Sequence, residues 1–429
     1  MRNSFVFDVS ERTDFIKKMI FFSKKFSHSC ILHSNKSNSV VPKKYYQFDV
    51  ICAFDSIEFL ESSNKSLLKL QALHKNRKDW IFGYMSYDLK NELHVTKSEN
   101  KDLFNNKNIG FFIPRHVLII KNNNLTVESV DNKKIVQQLI NTITVYSIDI
   151  KEIQKIKFKY RISKSKYLEK IVKIKAHIQR GDIYEMNFCQ EFFKENINLS
   201  PQDLFLKFNN ITNSPFSTLL NINDFSVISS SPERYFMKNY DTVISQPIKG
   251  TSKRSSDTKI DSLLIKKLKN NQKDISENTM IVDLVRNDLS VTAKKGTVKV
   301  DKLCGVYTFS HVHQMISTIS SELKKGYDFS DIIKTTFPMG SMTGAPKLKA
   351  MELIEKYEDF KRDVYSGSVG YITPEGNCDF NVIIRSLLYN SKKKYLSFSV
   401  GGAIVSKSDA IKEYEECLIK ARPIFELFE

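Results

Sequence analysis

No run of apolar residues in this 429-residue chain is long enough to cross a membrane as a helix, which takes about 20 in succession. The densest apolar cluster near the start, Met19–Phe22, is short and flanked by lysines. The opening Met1–Asp8 lacks a basic stretch followed by a long apolar one, so no secretory signal is expected. Six cysteines are present, Cys30, Cys52, Cys189, Cys304, Cys378 and Cys417. None forms a C-x-x-C pair, and their spacing suggests no disulfide framework. Free thiols in a reducing cytoplasm are expected. There is no internal repeat and no heptad run, which excludes a solenoid and a coiled coil. Acidic residues are short relative to basic ones, 48 against 66, for a net charge of +18. Such a surplus invites a nucleic-acid partner. The lysines, however, are spread along the whole chain among Asn and Ile and form no patch. Neither nucleic acid nor membrane is expected as a partner. The basic field would instead raise the local concentration of an anionic small molecule.

What is present fits a large globular fold. Hydrophobic residues make up 41% and charged residues 27%, enough for one large core or two intertwined ones. The first third reads as short strands and helices, with Trp80–Tyr87 and Arg115–Lys121 rich in strand formers and a turn at Asn122–Asn124. A polar stretch at 151–159 precedes a change of character, so the expected regions are 1–150 and 151–429. Ser163–Arg180 reads as a helix capped by Ser163 and ended by Gly181. Thr218–Ser229, Arg234–Val243, Ser366–Ile372, Asp379–Leu388 and Tyr395–Val400 read as strands. Ser256–Lys269, Asp274–Asp288 and Ala345–Tyr357 read as helices, and Asp409–Leu427 as a last helix that Pro423 kinks or breaks. Long strands with hairpin-like connections beside several helices predict an α+β fold.

Several segments carry chemistry. Asp274 and Glu277 lie three apart on one predicted helix, and Glu413 and Glu416 do the same on another. Residues so spaced share a helix face. Two such pairs meeting in space would suit Mg²⁺, which takes a few carboxylates with waters and substrate oxygens. Gly340–Lys347 (G-S-M-T-G-A-P-K) brackets Ser341 and Thr343 between glycines before a helix, where backbone N–H groups and hydroxyls favour an anion. It lacks the spacing of a P-loop. Gly401 and Gly402 follow a strand and allow close approach of backbone to a ligand. Arg385 sits in an apolar stretch and suits a bidentate clamp on a carboxylate. Lys249, in P-I-K-G-T, would become a nucleophile if burial stripped its proton. Glu233, in S-S-S-P-E-R, would act as a general acid if burial raised its pKa.

In this order along the chain, G-D-I-Y-E-M-N-F (181–188), S-S-S-P-E-R (229–234), P-I-K-G-T (247–251), E-N-T-M-I-V-D-L-V-R-N-D-L (277–289), G-S-M-T-G-A-P-K (340–347), Y-S-G-S-V-G-Y (365–371), I-I-R-S-L (383–387), G-G-A-I-V (401–405) and E-Y-E-E-C (413–417) closely resemble the chorismate-binding enzymes of the anthranilate synthase component I family. The resemblance implies large antiparallel sheets layered with helices. It implies Mg²⁺ on Glu277 and Glu416, supported by Asp274 and Glu413. It implies that Tyr365 and Arg385 hold the enolpyruvyl carboxylate of chorismate, with Thr343, Ser341, Gly401 and Gly402 completing the cradle. Lys249 matches the aminodeoxychorismate-forming branch, where anthranilate synthases usually carry alanine. That branch forms 4-amino-4-deoxychorismate, the precursor of 4-aminobenzoate and folate, through a covalent lysine intermediate with Glu233 as acid. Its ammonia comes from a glutamine amidotransferase subunit, which is therefore the implied partner. Two positions depart from the pattern. Glu185 stands where the amidating type usually has glutamine and isochorismate-forming relatives have lysine. Gln314 stands where a histidine is frequent, and its neighbour His313 would point elsewhere.

Overall fold

Side chains alternate between two cores along the central strands, as a pleat with period two requires. On Phe225–Ser231, Val227 enters one core and Ile228 the other. Leu220 and Leu219 divide in the same way on Phe216–Ile222, and Leu388 and Leu387 on Ser386–Asn390. A sheet covered on both faces explains why these strands read as unbroken apolar runs. The computed structural model describes residues 2–9, 12–35, 47–309 and 312–429.

The strands form two antiparallel wings that meet at the long strand Ile109–Lys121. One wing runs from there through Val50–Ser62, His28–His33, Phe216–Ile222, Phe225–Ser231, Ser386–Asn390 and Tyr395–Ile404 to Glu185–Lys194. The other runs through Ile81–Met85, Ser368–Ile372, Cys378–Asn381, Arg234–Asn239 and Thr242–Gln246 to Val312–Glu322, which also pairs with Ile248–Lys253 and Lys299–Thr308. One core holds residues of both wings, among them Phe82, Phe111, Val227, Phe236 and Phe380. The second lies between the first wing and helices Lys164–Gln179, Pro201–Thr212 and Ala410–Phe425, which contribute Ile171, Phe205 and Ile424. The expected α+β architecture of antiparallel sheets layered with helices is observed. Residues 146–158 carry no regular structure. Strands on either side of that stretch pair directly, His28–His33 with Phe216–Ile222 and Ile81–Met85 with Ser368–Ile372.

Local signals explain most element ends. Ser163 accepts from the Lys166 N–H at the start of its helix, and Asp257, Asn271 and Asp409 cap three more. Five expectations need correction. Thr218–Ser229 and Arg234–Val243 are each broken by a hairpin turn, at Asn223 and Tyr240, both with positive φ. Gly344 and Ala345 do not begin a helix; they pair with Met186 and Glu185, and the helix starts at Lys347. The run Asp379–Leu388 is interrupted between Asn381 and Ser386, because the N–H groups of Val382 and Ile383 bond to Glu233 and Gly367 instead of a continuous ladder. Pro423 does not break the last helix, which continues to Phe425. Among the described residues no helix is long and apolar enough to cross a membrane, and all six cysteines are free.

Candidate active site

The strand Phe225–Ser231 ends in a tight turn that fixes Glu233. Ser231 Oγ accepts from the Glu233 N–H and donates to Val382 O, and the Val382 N–H bonds back to Glu233 O. The Glu233 side chain is buried and accepts from Ser341 Oγ at 2.7 Å. Burial, opposed by that bond and by Lys249 and Arg385, pushes its pKa up to about 7. Arg385 is held nearby through its carbonyl, which accepts from the Ser230 N–H at 3.0 Å. Its φ of 49° is left-handed, a costly conformation for a non-glycine residue that tends to mark functional positions. Among the described residues its guanidinium has no hydrogen-bond or ion-pair partner, and burial pulls its pKa down against the pull of Glu233.

Lys249 enters the same space through an irregularity in the ladder. Ile248 pairs with Ile316 and Thr251 with Gln314, so one residue is squeezed out of register at Lys249–Gly250. Gly250 has φ 87°, and a Cβ there would come within 3.0 Å of Asp274. The bulge thus turns Lys249 inward and lets the acidic helix approach. Lys249 Nζ donates to Glu185 Oε1 at 2.8 Å, and both residues are buried. The second Glu185 oxygen is buried without a partner. The condition under which burial would strip the lysine's proton is not met. Burial does work to lower the Lys249 pKa, but Glu185, Glu277 and Glu233 outweigh it, and the pKa is raised.

The two acidic pairs lie near each other. Helix Gln272–Ser290 presents Asp274 and Glu277, and helix Ala410–Phe425 presents Glu413 and Glu416. Lys273 Nζ lies between them, 3.1 Å from Glu413 and 3.7 Å from Glu277. Lys420 Nζ is 2.8 Å from Glu416. Burial, moderated by Lys249 and Lys273, pushes Glu277 up to about 7, and burial also raises Asp274. Lys420 holds Glu416 below the usual range. A Cβ at Gly402 would come within 3.3 Å of Glu413 and 3.8 Å of Glu416, so the absent side chain leaves room beside these acids. At Gly401 it would strike Cys189 Sγ at 2.4 Å, so that glycine permits tight strand pairing.

Among the described residues no three His, Cys, Asp or Glu side chains form a ready metal cluster. Mg²⁺ commonly takes only one or two protein carboxylates, with waters and substrate oxygens. Glu277 Oε1 is buried without a hydrogen-bond partner and the neighbouring donors are carboxylate oxygens; Lys273 and Lys420, which pair with these acids, would have to give way to a cation. The donor set therefore fits a hard divalent cation.

The remaining candidates are placed less uniformly. Thr343 Oγ1 donates to Met339 O at 3.1 Å and so closes its own turn. Tyr365 is buried, and its hydroxyl meets Cys189 Sγ at 3.6 Å. Lys347 pairs with Asp288. His313 is engaged by Asp261 and Thr308, each at 2.9 Å, whereas Gln314 Oε1 is buried without a hydrogen-bond partner. A cavity reaches Glu233 and Ser341 past Pro247, Asp288 and Gly340. Lys273 was not singled out from the sequence, although a lysine four residues before Glu277 was a legible pairing signal.

The chain matches the model of the chorismate binding enzyme family over residues 25–426. It is 37% identical to aminodeoxychorismate synthase component 1 of Klebsiella aerogenes and of Escherichia coli, over 62% of its own length and 59% and 58% of theirs. Against anthranilate synthase component 1 of Aquifex aeolicus it is 29% identical over 81% of its length and 74% of the relative's. In fold it resembles anthranilate synthase component I from Streptococcus pneumoniae, with a TM-score of 0.77, 21% identity and coverage of 87% of this chain and 91% of that one. It also resembles the menaquinone-specific isochorismate synthase from Escherichia coli, with a TM-score of 0.80, 16% identity and coverage of 100% and 95%. The chain belongs to the chorismate-binding enzyme family.

Proposed function

We propose that this chain aminates chorismate at C4, as component I of an aminodeoxychorismate synthase that draws ammonia from a separate glutamine amidotransferase. The observation that carries this reading is a buried lysine amine, Lys249, in the same charged cluster as a buried carboxyl, Glu233, whose pKa is pushed up to about 7. A nucleophile and an acid are what substitution of a hydroxyl requires. The Lys249 amine attacks C2 of chorismate, the ring double bonds shift, and the C4–O bond breaks. Glu233 protonates the departing hydroxyl, which leaves as water. Ammonia then adds at C4, the double bonds shift back, and the C2–N bond returns its electron pair to Lys249. Glu233 carboxylate recovers a proton from the new C4 ammonium. One difficult substitution becomes two easier ones.

Arg385, whose guanidinium has no hydrogen-bond or ion-pair partner among the described residues, and Tyr365 hold the enolpyruvyl carboxylate. Thr343 and the Gly401–Gly402 backbone shape the cradle, and Ser341 orients Glu233 through their hydrogen bond. Glu277 and Glu416 would hold Mg²⁺, with Asp274 and Glu413 beside them; when bound, the ion neutralises the ring carboxylate of chorismate. The relatives named component 1 support a partner component and a chorismate substrate.

The broader match to an anthranilate synthase component 1 makes amination at C2 with pyruvate loss the competing outcome. The test is the product formed from chorismate, Mg²⁺ and ammonium salt, with and without an aminodeoxychorismate lyase. Formation of 4-aminobenzoate only with the lyase is expected. Fluorescent anthranilate formed without the lyase would contradict the reading.

A further inference from the structure

We propose that Glu185 is the catalytic base that takes the ammonium proton of Lys249, freeing the amine to attack. This rests on the reading of Lys249 as the nucleophile. That reading leaves a step open, because the protein holds Lys249 among carboxylates that favour its charged form. An ammonium has no lone pair, so its proton must go somewhere first.

The surroundings of Lys249 leave one acceptor. The groups that act on its charge are Glu185 on the strand Glu185–Lys194, Glu277 on the helix Gln272–Ser290 and Glu233 after the strand Phe225–Ser231. Glu416 on the last helix feels it in turn. Glu233 must arrive protonated to expel the C4 hydroxyl, so it cannot take a proton from Lys249 beforehand. Glu277 and Glu416 are the carboxylates of the cation site. Glu185 remains, and it makes the one hydrogen bond to Lys249 Nζ among the described residues, at 2.8 Å. That distance is within the reach proton transfer needs.

Glu185 is also built in rigidly. It opens the strand Glu185–Lys194 and pairs with Ala345, while the neighbouring Tyr184 N–H bonds to Ala345 O at 2.7 Å. Gly344 makes this possible: its φ is 149°, and a Cβ there would lie 2.1 Å from Glu185 O. Glu185 itself is 1% exposed. Its Oε2 has no hydrogen-bond partner, so no neighbour competes for the carboxylate through that oxygen. The step balances simply. The Nζ–H bond breaks, an O–H bond forms on Glu185, and the electron pair stays on nitrogen to form the C2–N bond. When ammonia has added at C4 and the C2–N bond has broken, the Glu185 proton returns to Lys249. The carboxylate that departs from the usual glutamine thereby acquires a task that an amide cannot perform.

Two measurements on Glu185→Gln separate a base from a mere counter-ion. One is turnover of chorismate with ammonium salt. The other needs no chorismate: carbamylation of Lys249 by cyanate at neutral pH, read by peptide mass spectrometry, since cyanate reacts with the neutral amine. Removing the carboxylate should speed carbamylation several-fold while turnover falls by roughly 10²–10⁴-fold, the range of general acid–base catalysis. A counter-ion alone would give faster carbamylation with turnover unchanged or raised, and that result would overturn the proposal. Carbamylation no faster than in the wild type would overturn it too. Glu185→Asp, which keeps an acid, should retain more turnover than Glu185→Gln; equal loss in both would assign Glu185 a structural role. Anthranilate as the wild-type product would instead overturn the C4 reading and this step with it, an outcome distinct from a failure of Glu185 alone.

Discussion

Arg362 and Glu358 are buried as deeply as Lys249 and Glu185, and both pairs touch the strand Glu185–Lys194. They differ in how fully they are satisfied. Arg362 donates twice to Glu358, at 2.8 and 2.6 Å, and also to Met342 O and Asn187 O at 2.7 and 3.0 Å. Glu358 accepts in addition from the Cys189 N–H at 2.8 Å. At the other pair, Lys249 Nζ has one hydrogen bond among the described residues, while Glu185 Oε2 and the nearby Glu277 Oε1 have no hydrogen-bond partner. The Arg385 guanidinium has none either among the described residues. A buried polar group left unpaired costs about 1–3 kcal/mol, more if charged. The closed network repays its burial within the protein and fixes the backbone around Tyr365. The open cluster leaves its polar groups free for something the protein does not itself supply. The contrast assigns structure to the first and ligand chemistry to the second.

The sharpest way to break this contrast is Lys249→Ala. It should abolish aminodeoxychorismate formation while chorismate still binds, measured by product assay and by calorimetry. Glu233→Gln should follow, with turnover down by roughly 10²–10⁴-fold. The closed network should answer differently. Arg362→Met leaves Glu358 as a buried charge without its partner, so unfolding should cost about 3–5 kcal/mol less in a denaturant titration. Arg385→Met breaks no ion pair among the described residues. Its stability should stay near wild type, while the chorismate KM rises by an amount worth about 1.5–3 kcal/mol of charged hydrogen bonding. If Arg385→Met unfolds the chain as readily as Arg362→Met, the division between the two networks is wrong.

The smallest effect is in pH. The folded Glu233 pKa is raised to about 7 from an ordinary 4.5 by burial, so the folded state binds more protons than the unfolded one between those values. Stability from this group is therefore fully present below about 4.5 and is lost as pH rises toward 7. The acid form is also the form the proposed mechanism requires. Turnover should decline as pH rises through about 7, and Glu233→Gln should show a low profile without that limb.

Local features of this site were legible in the sequence. The spacing of Asp274 with Glu277 and of Glu413 with Glu416 follows from helical periodicity. Ser163 announced its helix because a serine side chain satisfies an N-terminal N–H. What the sequence hid is non-local or depends on backbone irregularity. Val382-Ile383-Ile384 has the composition of a strand, yet hydrogen bonds from distant turns break the ladder there and set Arg385 in a left-handed conformation. The inward turn of Lys249 depends on a bulge opposite Gln314 and Ile316. Its carboxylate partner lies 64 residues earlier, on a strand that no periodicity links to it. The charge state of Lys249 is not legible in the sequence for that reason, since burial alone is visible there and the three carboxylates around it are not.

The most direct test of the central claim is the mass of the Lys249 peptide from acid-quenched reaction with chorismate and Mg²⁺ in the absence of ammonia. The mechanism predicts a gain equal to chorismate less one water, confined to Lys249 and missing from Lys249→Ala. An unmodified peptide, together with undiminished aminodeoxychorismate formation by Lys249→Ala, would contradict it.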